Sequence, residues 1–310
     1  MTLNILFAAS KERWPEYAPS LKQALEHAGI AAHLSPDIAP ELVDYIVFAP
    51  NGPVTDFSVY PRAKAILSLW AGVEKIVGNK TIKLPLTRMV DSGLSEGMVE
   101  WVTGHVLRYH LGIDAQLAQQ DGVWSPAIPP LARNRKVGIL GLGELGSACA
   151  NALRDLNFDV AGWSRSPKHI QGITCLSGPI GLAEILARSE ILVLLLPLTD
   201  ATQNILDAQA FNLMPDGARV LNPGRGALID DDALLDALNS GKVAHATLDV
   251  FRTEPLPAAH PFWAHPSVTV TPHIASETRA DTASQVIAEN IRRFEAGETP
   301  KYLVDFAAGY

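Results

Sequence analysis

At 310 residues the chain is long enough for two domains of roughly 150 residues or one large α/β unit, and its 47% apolar and 19% charged content suits a folded core rather than a disordered chain. With 33 acidic against 25 basic side chains it carries a net charge of −8, which argues against a nucleic-acid-binding surface. Two cysteines, Cys149 and Cys175, make neither a disulfide framework nor a metal set, and the longest apolar run, 191–198, is broken by Pro197 and too short for a bilayer. The amino terminus has no basic lead-in to its apolar run, so the expectation is a cytoplasmic protein that binds no metal.

Residues 3–7, 31–34, 45–48, 65–69 and 84–89 are short apolar runs, most of them bounded by Pro, Gly, Asn or Asp, and read as strands. Between the first two, Leu21, Ala24, Leu25 and Ala28 share one helical face over 17–28. Strand and helix in alternation predict an open parallel sheet. From 94 to 119, Met98, Val102, His105, Val106 and Tyr109 recur at helical spacing without a proline. That predicts one long helix, which at about 1.5 Å per residue could bridge two lobes. The stretch 121–130, DGVWSPAIPP, is turn-rich and predicts a surface arm. From 135 the alternation restarts: KVGIL, DVAGW, ILVLLL, ARVLN, AHATLDV and SVTVTP read as strands. An amphipathic helix over 278–296 closes the chain, with Ala283, Val286, Ile287, Ile291 and Phe294 on one face.

Gly141-Leu142-Gly143-Glu144-Leu145-Gly146 matches G-x-G-x-x-G between the apolar run 137–140 and the helical stretch 145–156, with a second strand at 160–163. Strand, glycines, helix and strand in that order are what a dinucleotide site requires. The first glycine permits the tight turn, the second lets backbone approach a pyrophosphate, and the third lets helix pack on strand. The helix amino terminus offers unpaired N–H groups to the anion. After the second strand, an NAD site carries a carboxylate for the ribose 2′-hydroxyl. This chain has Ser164-Arg165-Ser166-Pro167-Lys168 instead, a guanidinium, two hydroxyls and an ammonium, which favours NADP, with NADPH preferred over NADH. Glu144 sits awkwardly in the motif, close to where the pyrophosphate would rest.

Three later segments place chemistry at strand ends, where open parallel sheets bind ligands. They are Asn222-Pro223-Gly224-Arg225-Gly226, the run from Leu248-Asp249 through Glu254-Pro255 to Leu256-Pro257, and Thr271-Pro272-His273-Ile274-Ala275-Ser276. Taken singly, Arg225, Glu254 and His273 could be a surface charge, a turn residue and one of nine histidines; together and in this order they form a constellation. The pairs His105 with His110 and His260 with His265 lack a carboxylate or third ligand at metal spacing, so structural roles are expected.

The motifs GLGELG, Trp163-Ser164, NPGRG, LDVFRTEPLP and PHIAS, spread over the chain, resemble the D-isomer-specific 2-hydroxyacid dehydrogenase family. The finer pattern GWSRS, LLLPLT and LWAGVE is most similar to its glyoxylate/hydroxypyruvate reductase A subgroup. The resemblance implies NADPH-dependent reduction of a small 2-keto acid to the D-2-hydroxy acid. It implies an α/β fold of two parallel-sheet lobes: a flavodoxin-like substrate domain, 1–98 and 277–310, with an inserted Rossmann dinucleotide-binding domain, 99–276. Substrate would be gripped from both lobes, with closure excluding water. Glu144 departs from the family pattern, which has a small, basic or neutral residue there.

In the implied chemistry, His273 protonates the carbonyl oxygen, a role worth ~10²–10⁴-fold. Glu254 would bond the far ring nitrogen and favour the imidazolium, and Arg225 would bind the substrate carboxylate and keto oxygen. The match further implies that Trp70, Ala71 and Gly72 offer backbone N–H groups to the carboxylate. Leu196, Pro197, Leu198, Thr202, Pro223, Gly224 and Ala275 would line the cofactor path. Asp249 would meet the nicotinamide carboxamide, with a capping role as the competing reading. Met98 lies where relatives touch the cofactor, although the sequence alone reads it as a core methionine. Kinship implies a homodimer through the cofactor domain, with the 121–130 arm and Trp124 reaching a partner subunit. The alternatives are a same-family dehydrogenase for a bulkier 2-keto acid and a non-catalytic dinucleotide-sensing protein.

Overall fold

Most apolar runs of the first ninety residues become strands buried in nearly continuous stretches, the pattern of a sheet covered on both faces, whereas the edge strand at 32–35 buries only Leu34. β1 (Leu3–Ala8), β2 (Ala32–Ser35), β3 (Tyr45–Phe48), β4 (Ala65–Ser68) and β5 (Leu86–Thr87) pair in the order β2-β1-β3-β4-β5, every pair parallel. That is the flavodoxin-like strand order. β5 is shorter than its apolar run because Pro85, just before it, has no N–H for the ladder; its carbonyl instead accepts from Ile66. α1 (Trp14–His27) and α8 (Ala280–Glu295) cover one face, burying Leu21, Leu25, Ile287 and Ile291 against Ile5, Phe7, Val47 and Leu67. Each such fully buried aliphatic side chain contributes about 1.5–3 kcal/mol.

The computed structural model describes residues 2–307 and Gly309. They cluster into two compact units, one formed by the chain up to Leu94 and from Glu277 onward, the other by Ser95–Ser276. Among the described residues no helix is long and apolar enough to cross a membrane.

The second unit is built on β6 (Lys136–Leu140), β7 (Asp159–Ser164), β8 (Thr174–Ser177), β9 (Ile191–Leu194), β10 (Ala218–Asn222), β11 (Val243–Leu248) and β12 (Val268–Val270). Their order is β12-β11-β10-β9-β6-β7-β8, all parallel. Numbered within the unit, this is the Rossmann order with one strand added, and it reverses between β6 and β9. The chain after 94 does not run as one helix to 119. α2 (Ser92–Leu111) stops, Gly112 turns into the left-handed region at φ 66°, and α3 (Ile113–Ala118) follows. Only glycine takes that backbone without penalty, so the interior glycine is the breaker. Met98, Val102, Val106 and Tyr109 of α2 pack with Val137, Ile139 and Leu221 in the unit's core. Beyond α3, Val123, Trp124 and Ile128 are exposed at 67%, 96% and 92%, on an arm without regular structure.

Candidate active site

The glycine loop follows β6 at the point where the strand order reverses. Gly141 has φ 106°, and a Cβ there would lie 2.5 Å from the Leu195 carbonyl oxygen. A Cβ on Gly146 would meet the Gly141 carbonyl oxygen at 1.7 Å, so helix and turn touch backbone to backbone. A Cβ on Gly143 would meet nothing within 4 Å. That glycine therefore keeps space open on the side where an anion reaches the first turn of α4 (Glu144–Asp155), whose N-cap is Gly143 with no side-chain cap. Leu142 is buried and Leu145 half-buried under the loop, while Glu144 is exposed on the first helical turn. The residues present fit a dinucleotide pyrophosphate, with Glu144 as the one opposing charge.

Beside this cradle, β7 delivers Ser164, Arg165, Ser166 and Lys168. Ser164 Oγ donates to the Ser166 carbonyl at 2.8 Å and shapes the turn, leaving Arg165 and Ser166 exposed. Lys168 Nζ donates to the Leu142 carbonyl at 2.5 Å, which lays the ammonium across the glycine loop. No carboxylate lies in the 164–168 turn. After β9, Leu196 is buried and Pro197 and Leu198 are half-buried. Thr202 Oγ1 closes that segment into a turn, donating to the Pro197 carbonyl at 2.7 Å and accepting from Thr199 N at 2.8 Å. Met98, at 5% exposure, belongs to the apolar cluster that includes Leu142 and Ala275, so its side chain works as core packing.

β10, β11 and β12 are adjacent in the sheet with Asn222 opposite Leu248 and Leu248 opposite Val270, so their carboxyl ends finish side by side. Strands lie about 4.8 Å apart, so three consecutive strand ends deliver three loops to one small region. The first loop carries Pro223, Gly224 and Arg225. Asn222, 1% exposed, folds it by donating from Nδ2 to the Arg225 carbonyl at 2.9 Å and accepting from Gly224 N at 3.2 Å. Gly224 lies against the Leu194 carbonyl, 2.8 Å from where its Cβ would be, and Arg225 Nη1 donates to the Gly224 carbonyl at 2.7 Å. The second loop carries Glu254, whose Oε1 accepts from Phe251 N at 2.9 Å. The third carries His273. Its Nδ1 lies 2.8 Å from Glu254 Oε2, with both side chains partly solvent-exposed, so the other ring nitrogen is left for chemistry.

His273 adopts φ 55°, a left-handed backbone that costs a non-glycine residue about 1–2 kcal/mol. Asp249 holds it there. Fully buried, Asp249 accepts from Thr271 Oγ1 at 2.5 Å and Ile274 N at 2.9 Å through Oδ1, and from Ala275 N at 2.8 Å through Oδ2. The His273 N–H donates back to the Asp249 carbonyl at 2.8 Å. The Asp249 carboxylate, expected to face the nicotinamide carboxamide, is hydrogen-bonded to the loop that carries His273. Asn222 and Thr271 were not singled out by sequence reasoning. The only signal for either was a polar residue at the last position of a strand or directly after it.

In the first unit, Trp70, Ala71 and Gly72 follow β4. Ser68 Oγ accepts from Trp70 N at 3.0 Å and donates to the Trp70 carbonyl at 3.1 Å, which bends the chain, and the Trp70 side chain is 37% exposed. Among the described residues, no acceptor is bonded to the N–H of Ala71, Gly72 or Val73.

The comparisons with known proteins agree with the strand orders and motifs. Residues 105–275 match the family model of the D-isomer-specific 2-hydroxyacid dehydrogenase NAD-binding domain. A glyoxylate/hydroxypyruvate reductase A of Serratia proteamaculans is 41% identical over 317 aligned positions, covering 99% of this chain and all of the relative. A D-isomer-specific 2-hydroxyacid dehydrogenase of Xanthobacter autotrophicus, solved with NADPH and MES, superposes with TM-score 0.93 at 38% identity over the full length of both chains. An NADPH-dependent glyoxylate/hydroxypyruvate reductase of Sinorhizobium meliloti, solved with NADP and sulfate, gives TM-score 0.85 at 32% identity, covering 100% of this chain and 99% of its own. The chain belongs to the D-isomer-specific 2-hydroxyacid dehydrogenase family.

Proposed function

We propose that this protein reduces a small 2-keto acid of the glyoxylate or hydroxypyruvate type to the D-2-hydroxy acid, with NADPH as reductant. The observation that carries the reading is the Glu254–His273 pair at 2.8 Å, set on strand ends adjacent to that of Arg225 in the unit that holds the glycine cradle. NADPH, when bound, supplies the hydride. His273 delivers the proton to the carbonyl oxygen as charge develops there, and Glu254, on the far ring nitrogen, fixes the orientation of the ring. Arg225 takes the substrate carboxylate and polarises the ketone. The N–H groups of Ala71 and Gly72, which have no acceptor among the described residues, suit a carboxylate. Arg165, with Ser164 and Ser166 beside it, takes the 2′-phosphate, and Lys168 places a second cation at the glycine loop. Support for NADP over NAD comes from the absence of a carboxylate in that turn and from the NADPH-bound relatives.

The test is a panel of 2-keto acids assayed with NADPH and NADH. Turnover of glyoxylate and hydroxypyruvate with NADPH preferred is the expected result. Turnover confined to bulky aryl keto acids would move the substrate class, and dinucleotide binding without turnover would make the protein a sensor. The same reading includes a homodimer. The arm from Leu117 through Val123, Trp124 and Ile128 to Leu131 exposes five large apolar side chains, each at 59% or more, and a second copy of the chain is the proposed cover. A monomeric mass by light scattering at micromolar concentration would refute that part.

A further inference from the structure

We propose that Arg252 is a positioning residue of the active site, fastening the loop that carries Glu254 to the segments on either side of the Arg225 turn. The inference rests on the reading of His273 as proton donor and names a device that serves it. Glu254 sits in irregular backbone after β11, partly exposed, and its carboxylate is oriented by the N–H of Phe251. Whatever fixes the Phe251–Arg252 peptide therefore fixes Glu254, and through it the histidine ring.

Two contacts fix that peptide. The first is Gly226, directly after Arg225: a Cβ there would come within 2.0 Å of the Phe251 carbonyl carbon and 2.4 Å of Arg252 N. The loop is seated backbone to backbone on the arginine turn. The second is the Arg252 side chain. Its Nη2 donates to both Asn204 Oδ1 and the Ile229 carbonyl, and its Nε lies 3.4 Å from Asp231 Oδ1 at the start of α7 (Asp231–Asn239). Those acceptors are themselves tied together. Asn204 N donates to the Ala227 carbonyl at 2.9 Å, Leu206 N to Leu228 at 3.1 Å, and Asp230 N to Leu206 at 3.0 Å. His260 Nε2, 3.9 Å from Asp231 Oδ2, closes the far end of the same loop. One planar guanidinium thus bridges three acceptors from two segments, which a lysine ammonium on a flexible stem cannot reproduce in geometry. Asn204 itself takes φ 54°, a left-handed turn that asparagine tolerates better than most residues.

The experiment compares the full-length wild type with R252M, R252K and D231N. The readouts are kcat and KM for glyoxylate, the Kd for NADPH by fluorescence titration, melting temperature, and the pH dependence of kcat. R252M is expected to lose about 10- to 100-fold in kcat, the scale of a catalytic group displaced by about 1 Å, with the NADPH Kd within about twofold of wild type. The alkaline limb of its kcat profile moves to lower pH, because Glu254 no longer supports the charged imidazole. R252K recovers part of both effects. Wild-type kcat and an unmoved alkaline limb in R252M, whatever its melting temperature, overturn the proposal. If R252M does not fold, D231N carries the test, since it leaves the guanidinium its two other acceptors; a smaller change in the same direction supports the proposal and an unchanged profile overturns it. If the wild type turns over no 2-keto acid, the functional reading fails by itself. The inference is then read from the NMR titration midpoint of the His273 ring, and equal midpoints in wild type and R252M overturn it.

Discussion

Asp249→Asn tests how the active-site histidine is held. The substitution keeps shape and volume and replaces one carboxylate oxygen with an NH₂ group. With the amide nitrogen at the Oδ2 position, the buried Ala275 N–H loses its acceptor, a loss of about 1–3 kcal/mol. The bonds from Thr271 Oγ1 and Ile274 N drop from charge-assisted to neutral, at about 0.5–1.5 kcal/mol each. The local structure around His273 is expected to weaken by about 4 kcal/mol, enough to release a backbone already held at φ 55°. Amide hydrogen exchange followed by mass spectrometry reads this directly. Peptides spanning 271–276 should exchange on the order of 10³-fold faster than in the wild type if they open locally, with kcat falling in parallel. The opposite pattern is equally concrete: unchanged protection at 271–276 together with a large loss of NADPH affinity. It would mean that the carboxylate acts on the cofactor, and the bracing argument would be wrong.

Arg165→Ala should weaken NADPH by about tenfold or more, the scale of one lost charge-assisted contact, while NADH changes little; equal losses in paired fluorescence titrations would remove Arg165 from the 2′-phosphate. Glu144→Gln removes an exposed carboxylate from the first turn of the helix behind the pyrophosphate. NADPH should then bind a few-fold more tightly in low salt, in line with about 0.3–1 kcal/mol for a charge at a helix end, and the gain should shrink as salt rises. An affinity unchanged at every salt concentration would place Glu144 outside the anion's field. Burial holds His245 down to about 4, and burial likewise lowers His105 and His110. Unfolded, these rings take up protons near 6.5, so the unfolded chain gains protons first as the pH falls. Their contribution is therefore complete above about 6.5 and is lost progressively toward 4. Urea midpoints should fall between pH 7 and 5, before most carboxylates titrate; a flat midpoint over that window would refute the assignment.

What was legible in the sequence was whatever repeats or sits at a fixed spacing. β1, β3 and β4 were readable as apolar runs, interrupted in β1 only by Asn4, because both faces of a parallel sheet are buried, and the glycine motif was readable because each glycine answers a separate steric demand. β8 escaped, since Thr174–Ser177 lies at the sheet edge with no fully buried side chain, and so has no apolar signature. The long helix was overdrawn because helical periodicity says where apolar residues fall but not whether an interior glycine keeps helical φ; Gly112 does not. Asp249 shows a deeper limit. A buried acid between strand and catalytic loop looks the same in sequence whether it faces a ligand or its own backbone. Its bonds to Thr271, Ile274 and Ala275, more than twenty residues away, have no trace in local sequence. Arg252 is harder still, because its acceptors at 204, 229 and 231 share no spacing with it or with one another. Groups that do chemistry sit in motifs because several must meet at one point. Groups that hold them still draw their partners from anywhere in the chain, as Arg252 and Asp249 do, and so the support of this active site is written in the tertiary structure.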